Sequence, residues 1–210
     1  MRAVFVALLA VAANGLAPVG RAKLLKTCGA AAAGALLAPR AAVAADAAVA
    51  QAVLVKYGTD ATGKALATAA FSVPDAWTKL SGADVGGRSM SLYADPKNAD
   101  TNAFVLITPV RGDYTSLGSF GNLETVQDTV MPAADGVSYQ LIEAKAERGA
   151  YRYEYTVQVP DQPLRHLTSI FAVDSDSIVT FNFQAKADDY DKDVAALAKA
   201  VVATFKLGKV

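Results

Sequence analysis

SYQLIEAKAERGAYRYEYTVQVPDQPLRHLTSIFAVDSDSIVTFNFQAK, residues 138–186, decides the fold. Ser138 to Glu147 and Ala150 to Val159 flank Arg148-Gly149, and Leu164 to Val173 and Ser177 to Lys186 flank the turn-forming Asp174-Ser175-Asp176. Runs of this length, rich in β-branched and aromatic residues and separated by short turn sequences, predict two successive hairpins. Alternation places Tyr151, Tyr153, Tyr155 and Val157 on one face of their strand and Arg152, Glu154 and Thr156 on the other. Leu167, Phe171 and Val173 likewise share a face, as do Val179, Phe181 and Phe183. A sheet with an apolar side needs a cover. Tyr190, Val194, Leu197, Val201 and Phe205 recur at helical spacing and supply one. Asp188, Asp189, Asp191 and Asp193 stand at or just before the start of that helix, where carboxylates suit the positive end of its dipole.

Working toward the N-terminus, Asn102 to Val110 is a nearly continuous apolar run, the pattern of a strand buried on both sides. Phe71 to Pro74 and Arg88 to Tyr93 are shorter strands, and Ser119 can cap a helix running to Val130. Gly82 to Gly87 (GADVGG) lacks the following helix of a phosphate-binding loop and reads as a hairpin turn. Ala47 to Tyr57 is expected to be helical, and the turn-rich Gly58 to Gly63 makes residues 46–66 a mobile arm ahead of a folded domain over 67–210. Strands and helices in this order give an α+β fold.

Residues 1–45 contain no acidic side chain. Arg2 precedes the apolar run Val4 to Ala13, then Arg21, Lys23 and Lys26 precede a second run, Cys28 to Ala38, followed by Ala42-Val43-Ala44. Each run has the length of a signal-peptide core, and neither reaches the roughly 18 apolar residues that a membrane span requires. The layout is that of a cleaved bipartite targeting leader over 1–45. Of 20 basic residues five lie in it and none of the 20 acidic ones does, so the remainder carries 15 against 20, a charge near −5. Nucleic-acid binding, which needs clustered positive charge, is disfavoured. The single cysteine, Cys28, lies in the leader too, so the remainder has no disulfide, thiolate metal site or cysteine nucleophile.

Several fragments in order carry a resemblance: Phe71-x-x-Pro74-x-x-Trp77, Tyr93-x-Asp95, Thr101-Asn102 leading into Val105-x-Ile107-x-Pro109-Val110, Ser116-Leu117-Gly118, Tyr151 to Tyr155, Arg165-His166 and Thr204-Phe205. With them, residues 57–205 resemble the PsbP family of extrinsic photosystem II proteins and their PsbP-like relatives. The resemblance implies an α-β-α sandwich, a central antiparallel sheet covered by helices, with no enzymatic activity and no tightly bound cofactor. It implies a thylakoid-lumen protein, peripheral to the membrane, whose partners are membrane-embedded photosystem subunits. In that family the role is support of oxygen evolution with indirect effects on calcium and chloride; the alternative is an auxiliary factor for assembly or repair of photosystem I, photosystem II or a related complex. The leader, with Asn14 to Pro18 (NGLAP) at its first junction, resembles those of algae with complex plastids. A nuclear Ran-binding protein has a similar fold, so a small-partner adaptor is a third reading.

His166 is the only histidine. It is a weak metal candidate, set against a structural histidine on the face shared with Thr168 and Ile170. The aspartates of 188–193 invite calcium, yet no EF-hand glycine or bidentate glutamate follows, and a helix start accounts for them. Trp77 is either a docking anchor or a packing residue. For an acidic domain, docking on a complex would use local basic residues, and Lys56, Lys64, Lys79, Arg88 and Arg111 are the candidates because they lie in the arm or in expected loops.

Overall fold

The computed structural model describes residues 49–58, 67–84, 88–110, 114, 116–131, 134–174 and 176–208. The leader lies outside them. Strands β1 Gln51–Tyr57, β2 Ala67–Val73, β3 Thr78–Asp84, β4 Ser89–Asp95 and β5 Asn98–Pro109 lead to helix α1, Leu123–Val130. Strands β6 Ser138–Glu147, β7 Ala150–Gln158, β8 Arg165–Asp174 and β9 Ser177–Lys186 follow, then helix α2, Lys192–Ala203, and the two-residue β10, Lys206–Leu207. A seven-stranded antiparallel sheet runs β3-β4-β5-β9-β8-β7-β6, and β1-β2-β10 form a separate small sheet. The molecule is α+β and mostly strand.

Both expected hairpins form. Arg148 and Gly149, at φ 51° and 76°, make a left-handed two-residue turn between β6 and β7, the geometry that matches strand twist. β5 lies between β4 and β9, and its residues 101–107 are all buried, as a two-sided apolar run requires.

Cross-strand register separates the faces of the large sheet. Tyr155 pairs with Leu167, Tyr151 with Phe171 and Val173 with Ile178, so these side chains share one face, which packs with Val126, Val130 and Met131 at α1. Val179, Phe181 and Phe183 lie on the opposite face with Ala103, Val105 and Ile107, and pack against Phe71 and Trp77 and against Val201 of α2. The single apolar side expected from the sequence is thus two apolar sides. α2 covers one of them together with the small sheet, and α1 covers the other. The small sheet is a component the expected sandwich did not include.

Four local expectations are corrected. Ala47 to Tyr57 is not a helix: Gln51–Tyr57 is a strand, paired with β2 over its whole length, with Val53 and Val55 in the core. Residues 51–57 of the expected arm are therefore built into the fold. Thr78–Asp84 is a strand that the sequence reading missed, paired with β4, so Gly82 to Asp84 of the expected turn are strand, and residues 85–87 lie outside the described residues. Leu117–Phe120 is a 3-10 turn, and α1 begins later, with Asn122 as the cap accepting from the Thr125 amide. Finally, α2 is shorter than the apolar stripe: Tyr190 precedes it and Phe205 follows it, though both pack into the same core.

Candidate functional site

Arg165 and His166 are neighbours on β8, so the alternation of a strand sends them to opposite faces of the sheet. Each organises a polar cluster at the same end of the molecule. On the α1 side, Arg165 Nη2 donates to Asp100 Oδ1 at 2.7 Å, and Lys186 Nζ approaches Asp100 Oδ2 at 2.7 Å. Register brings this about: Arg165 pairs with Lys186, and β5, which carries Asp100, is the next strand over. Burial alone would push the Asp100 carboxyl up, but hydrogen bonds from Lys186 and Arg165 and their positive charges outweigh it and hold the group below the usual carboxylate range. The same hydrogen bond to Asp100 raises the Lys186 ammonium.

On the α2 side, the His166 ring lies flat on Tyr190, centroids 3.6 Å apart and planes 6° from parallel. His166 Nε2 is 2.8 Å from Glu154 Oε1 on β7. Burial, and then the nearby Glu154 charge, raise the Tyr190 phenol to about 12. Next to this cluster a groove of about 400 Å³ runs between α2 and the β6–β8 edge, bordered by Ile142, Glu143, Arg152, Glu154, Tyr190 and Lys199. Its charges are largely paired among themselves: Arg152 bonds Glu143, and Lys145 sits 2.6 Å from the same carboxylate. Ile142 is the residue at a register shift in β6, which turns its side chain out to solvent.

Of the two ring nitrogens of His166 that could ligate a metal, Nε2 is engaged by Glu154. Among the described residues no group of three or more His, Cys, Asp or Glu could hold a metal ion. The aspartates before α2 have local tasks. Asp191 Oδ1 accepts from the Asp193 and Val194 amides as the helix cap, and Asp189 accepts from the Asn98 side chain. Trp77 is a packing residue, 4% exposed and stacked near Phe183. In the tyrosine row, Tyr151 and Tyr153 donate to the Gly121 and Leu123 carbonyls, tying β7 to the start of α1, and Tyr155 bonds Ser169. Tyr153 and Tyr155 are buried structural groups, and Tyr151 is half-buried.

Of the docking candidates, Lys56 is exposed on β1 and Lys79 on β3, while Arg88 is half-buried just before β4. Lys64 and Arg111 lie outside the described residues. Lys56 and Lys79 stand on different sheets. Sequence reasoning singled out Arg165-His166 but missed their partners Asp100, Lys186 and Glu154. The signal was present for one of them, Lys186, since pairing β8 with β9 around Asp174 to Asp176 sets Arg165 opposite it.

The PsbP family profile matches residues 68–207, the greater part of the chain. The chain belongs to the PsbP family. Among curated proteins it is similar to PsbP domain-containing protein 3, chloroplastic, of Arabidopsis thaliana, with 30% identity over 105 residues that make up 47% of this chain and 42% of that protein. The match thus spans less than half the length of that relative. Among solved structures it is similar to the cyanobacterial PsbP of Synechocystis, with 24% identity, a TM-score of 0.49, and coverage of 76% of this chain and 94% of the other. The matched span of the PsbP profile starts within β2 and so leaves out β1, which the fold nevertheless uses. No helix among the described residues is long and apolar enough to cross a membrane.

Proposed function

We propose that this PsbP-family chain is a non-catalytic accessory protein that docks on the lumenal side of a photosynthetic membrane complex in a plastid. The observation that carries the reading is the family match over residues 68–207. The bipartite leader read from the sequence supports a lumenal address, and the chloroplastic name of the Arabidopsis relative supports a plastid one. The clusters around Arg165 and His166 fit this role. Their hydrogen bonds and ion pairs are spent on neighbouring strands, an arrangement that stiffens a surface for contact. Because the curated relative is itself named for a PsbP domain, the auxiliary form of the function is favoured over an oxygen-evolving subunit that retains calcium and chloride.

The test is affinity purification of the tagged protein from solubilised thylakoids, with mass spectrometry of what accompanies it. Recovery with an assembly intermediate or photosystem I is the expected result. Recovery with intact oxygen-evolving photosystem II would restore the subunit reading, and absence of any photosynthetic complex would remove both. In the same preparation, association should weaken as salt rises, and Lys56→Glu should weaken it further, since electrostatic contacts at exposed charges are screened.

A further inference from the structure

The layer made by α2 and the small sheet has an outer surface whose charges are of one sign. Strand alternation turns Val53, Val55, Ala69 and Phe71 into the core and sends Ala52, Leu54, Lys56, Thr68 and Ala70 outward. In β10, Leu207 packs inward, and Lys206, paired with Ala70, points out. Leu54 is the neighbour of Ala70 on its other side, so Lys206, Ala70 and Leu54 form one row across the sheet, with Lys56 beside it. On α2, Val194, Leu197, Ala198 and Val201 face the core, which leaves Ala196, Lys199 and Ala203 exposed on the opposite side of the helix. α2 and the small sheet cover the same side of the large sheet, so these outward groups belong to one surface.

Among the described residues of β1, β2, β10 and of α2 beyond Asp193, the charged side chains are Lys56, Lys199 and Lys206, all exposed and none in an ion pair. Carboxylates stand at the margins. Asp174 Oδ2 accepts from the Thr68 amide at 2.9 Å, and Asp191 caps α2. Glu143 and Glu154, which share the groove with Lys199, are bonded to Arg152 and His166. Asp75 lies beyond the end of β2 remote from Lys56, and Asp193 in the first turn of α2. The composition of the surface selects its partner. Protein interfaces draw most of their affinity from Trp, Tyr and Arg and are depleted in lysine. Among the described residues none of those three anchors projects from this surface. It offers instead one protruding leucine, 50% exposed, small side chains, and lysines that carry point charges on flexible stems. Such a surface suits a fluid layer of anionic headgroups, which has no fixed pockets to fill and where each nearby lysine adds about fivefold in affinity. We propose that this surface rests on an anionic lipid bilayer, with Leu54 at the headgroup–acyl boundary and Lys56, Lys199 and Lys206 among the headgroups.

Leu54→Trp in the full chain tests contact at the surface itself, with phosphatidylcholine vesicles that contain phosphatidylglycerol and brominated acyl chains as the probe. The native Trp77, 4% exposed, supplies an unquenched background. Quenching of Leu54→Trp should exceed severalfold that of Tyr139→Trp, an exposed position of β6 on the α1 side, so attachment through another part of the chain does not imitate it. Adding Lys199→Gln and Lys206→Gln should lower the quenching severalfold, as should raised salt or pure phosphatidylcholine. Equal quenching at the two positions, equal quenching on neutral vesicles, or no quenching of Leu54→Trp would each overturn the proposal. In the last case, loss of binding to the solubilised complex through the same lysine substitutions would assign the surface to an acidic protein. Vesicles hold no photosynthetic complex, so failure here leaves the docking role standing.

Discussion

At the scale of single residues, Asp100 holds together more than its modest burial suggests. Among the described residues it is the only carboxylate bonded to Arg165, and it draws Lys186 to the same spot. Removing one partner of a largely buried ion pair leaves the other charge uncompensated, a loss of about 3–5 kcal/mol for a fully buried pair. Asp100 and Lys186 are partly exposed, so the discounted expectation for Asp100→Asn is about 2 kcal/mol by denaturant unfolding at neutral pH. The pH dependence has a definite sign. A carboxyl whose folded pKa is depressed stabilises fully above its unfolded value, here 3.8, and loses that contribution as pH falls through the lower folded value. The gap between parent and Asp100→Asn should therefore be flat above the ordinary carboxylate range and close below it. A gap that widened in acid would contradict the ion-pair assignment.

At the scale of elements, the two C-terminal hairpins were legible because their information is local. Each strand carries its own alternation, and each turn carries residues that tolerate it, as Arg148-Gly149 does at positive φ. What alternation could not give was the relation between faces. Val179 and Phe181 point away from the tyrosine row because β8 presents Leu167 on one side and Ile170 on the other, and only the register of β8 with β9 fixes which meets which. The start of α1 was misplaced for a related reason: Ser119 and Asn122 are both good caps, and the choice falls to Asn122, whose Oδ1 takes the Thr125 amide. At α2 the cap was hidden among four aspartates. Asp191 alone bonds two helix amides, so Asp191→Ala should cost about 1 kcal/mol, while Asp188→Ala, at an exposed position, should stay within about 0.5 kcal/mol. Thermal melts of both variants with and without calcium settle the rival reading of this acidic run: a calcium-dependent rise in the parent that either substitution abolished would make it an ion site instead of a helix start.

At the scale of the whole molecule, the element that sequence reasoning placed outside the domain is one the core depends on. An alanine-rich approach, Ala47 to Ala52, raises helix propensity and conceals the period-two pattern of Val53, Val55 and Tyr57 that follows. Propensity loses because those valines have a surface to cover: β1 lies antiparallel to β2 over seven paired positions, and β2 in turn sets Phe71 against Phe181 of the large sheet. β10 closes the other edge of β2, and the Thr204 hydroxyl accepts from the Ser72 amide, so the end of the chain also fastens the small sheet. A strand in that position is not detachable. Burying a valine side chain is worth about 1.5–3 kcal/mol, so a chain beginning at Ala67 should lose at least about 3 kcal/mol from Val53 and Val55 before the lost pairing with β2 is considered. Where that truncation fails to fold, Val53→Ala with Val55→Ala in the full chain gives a milder measure, an expected loss of about 3 kcal/mol in denaturant unfolding. A mobile arm makes the opposite forecast: both variants would unfold at the parent's midpoint, and limited proteolysis would trim residues up to 66 from the folded protein without lowering its stability. Protection of the segment from protease together with a lowered midpoint in the double variant would place the start of the folded domain at β1, ahead of the span by which the family is recognised.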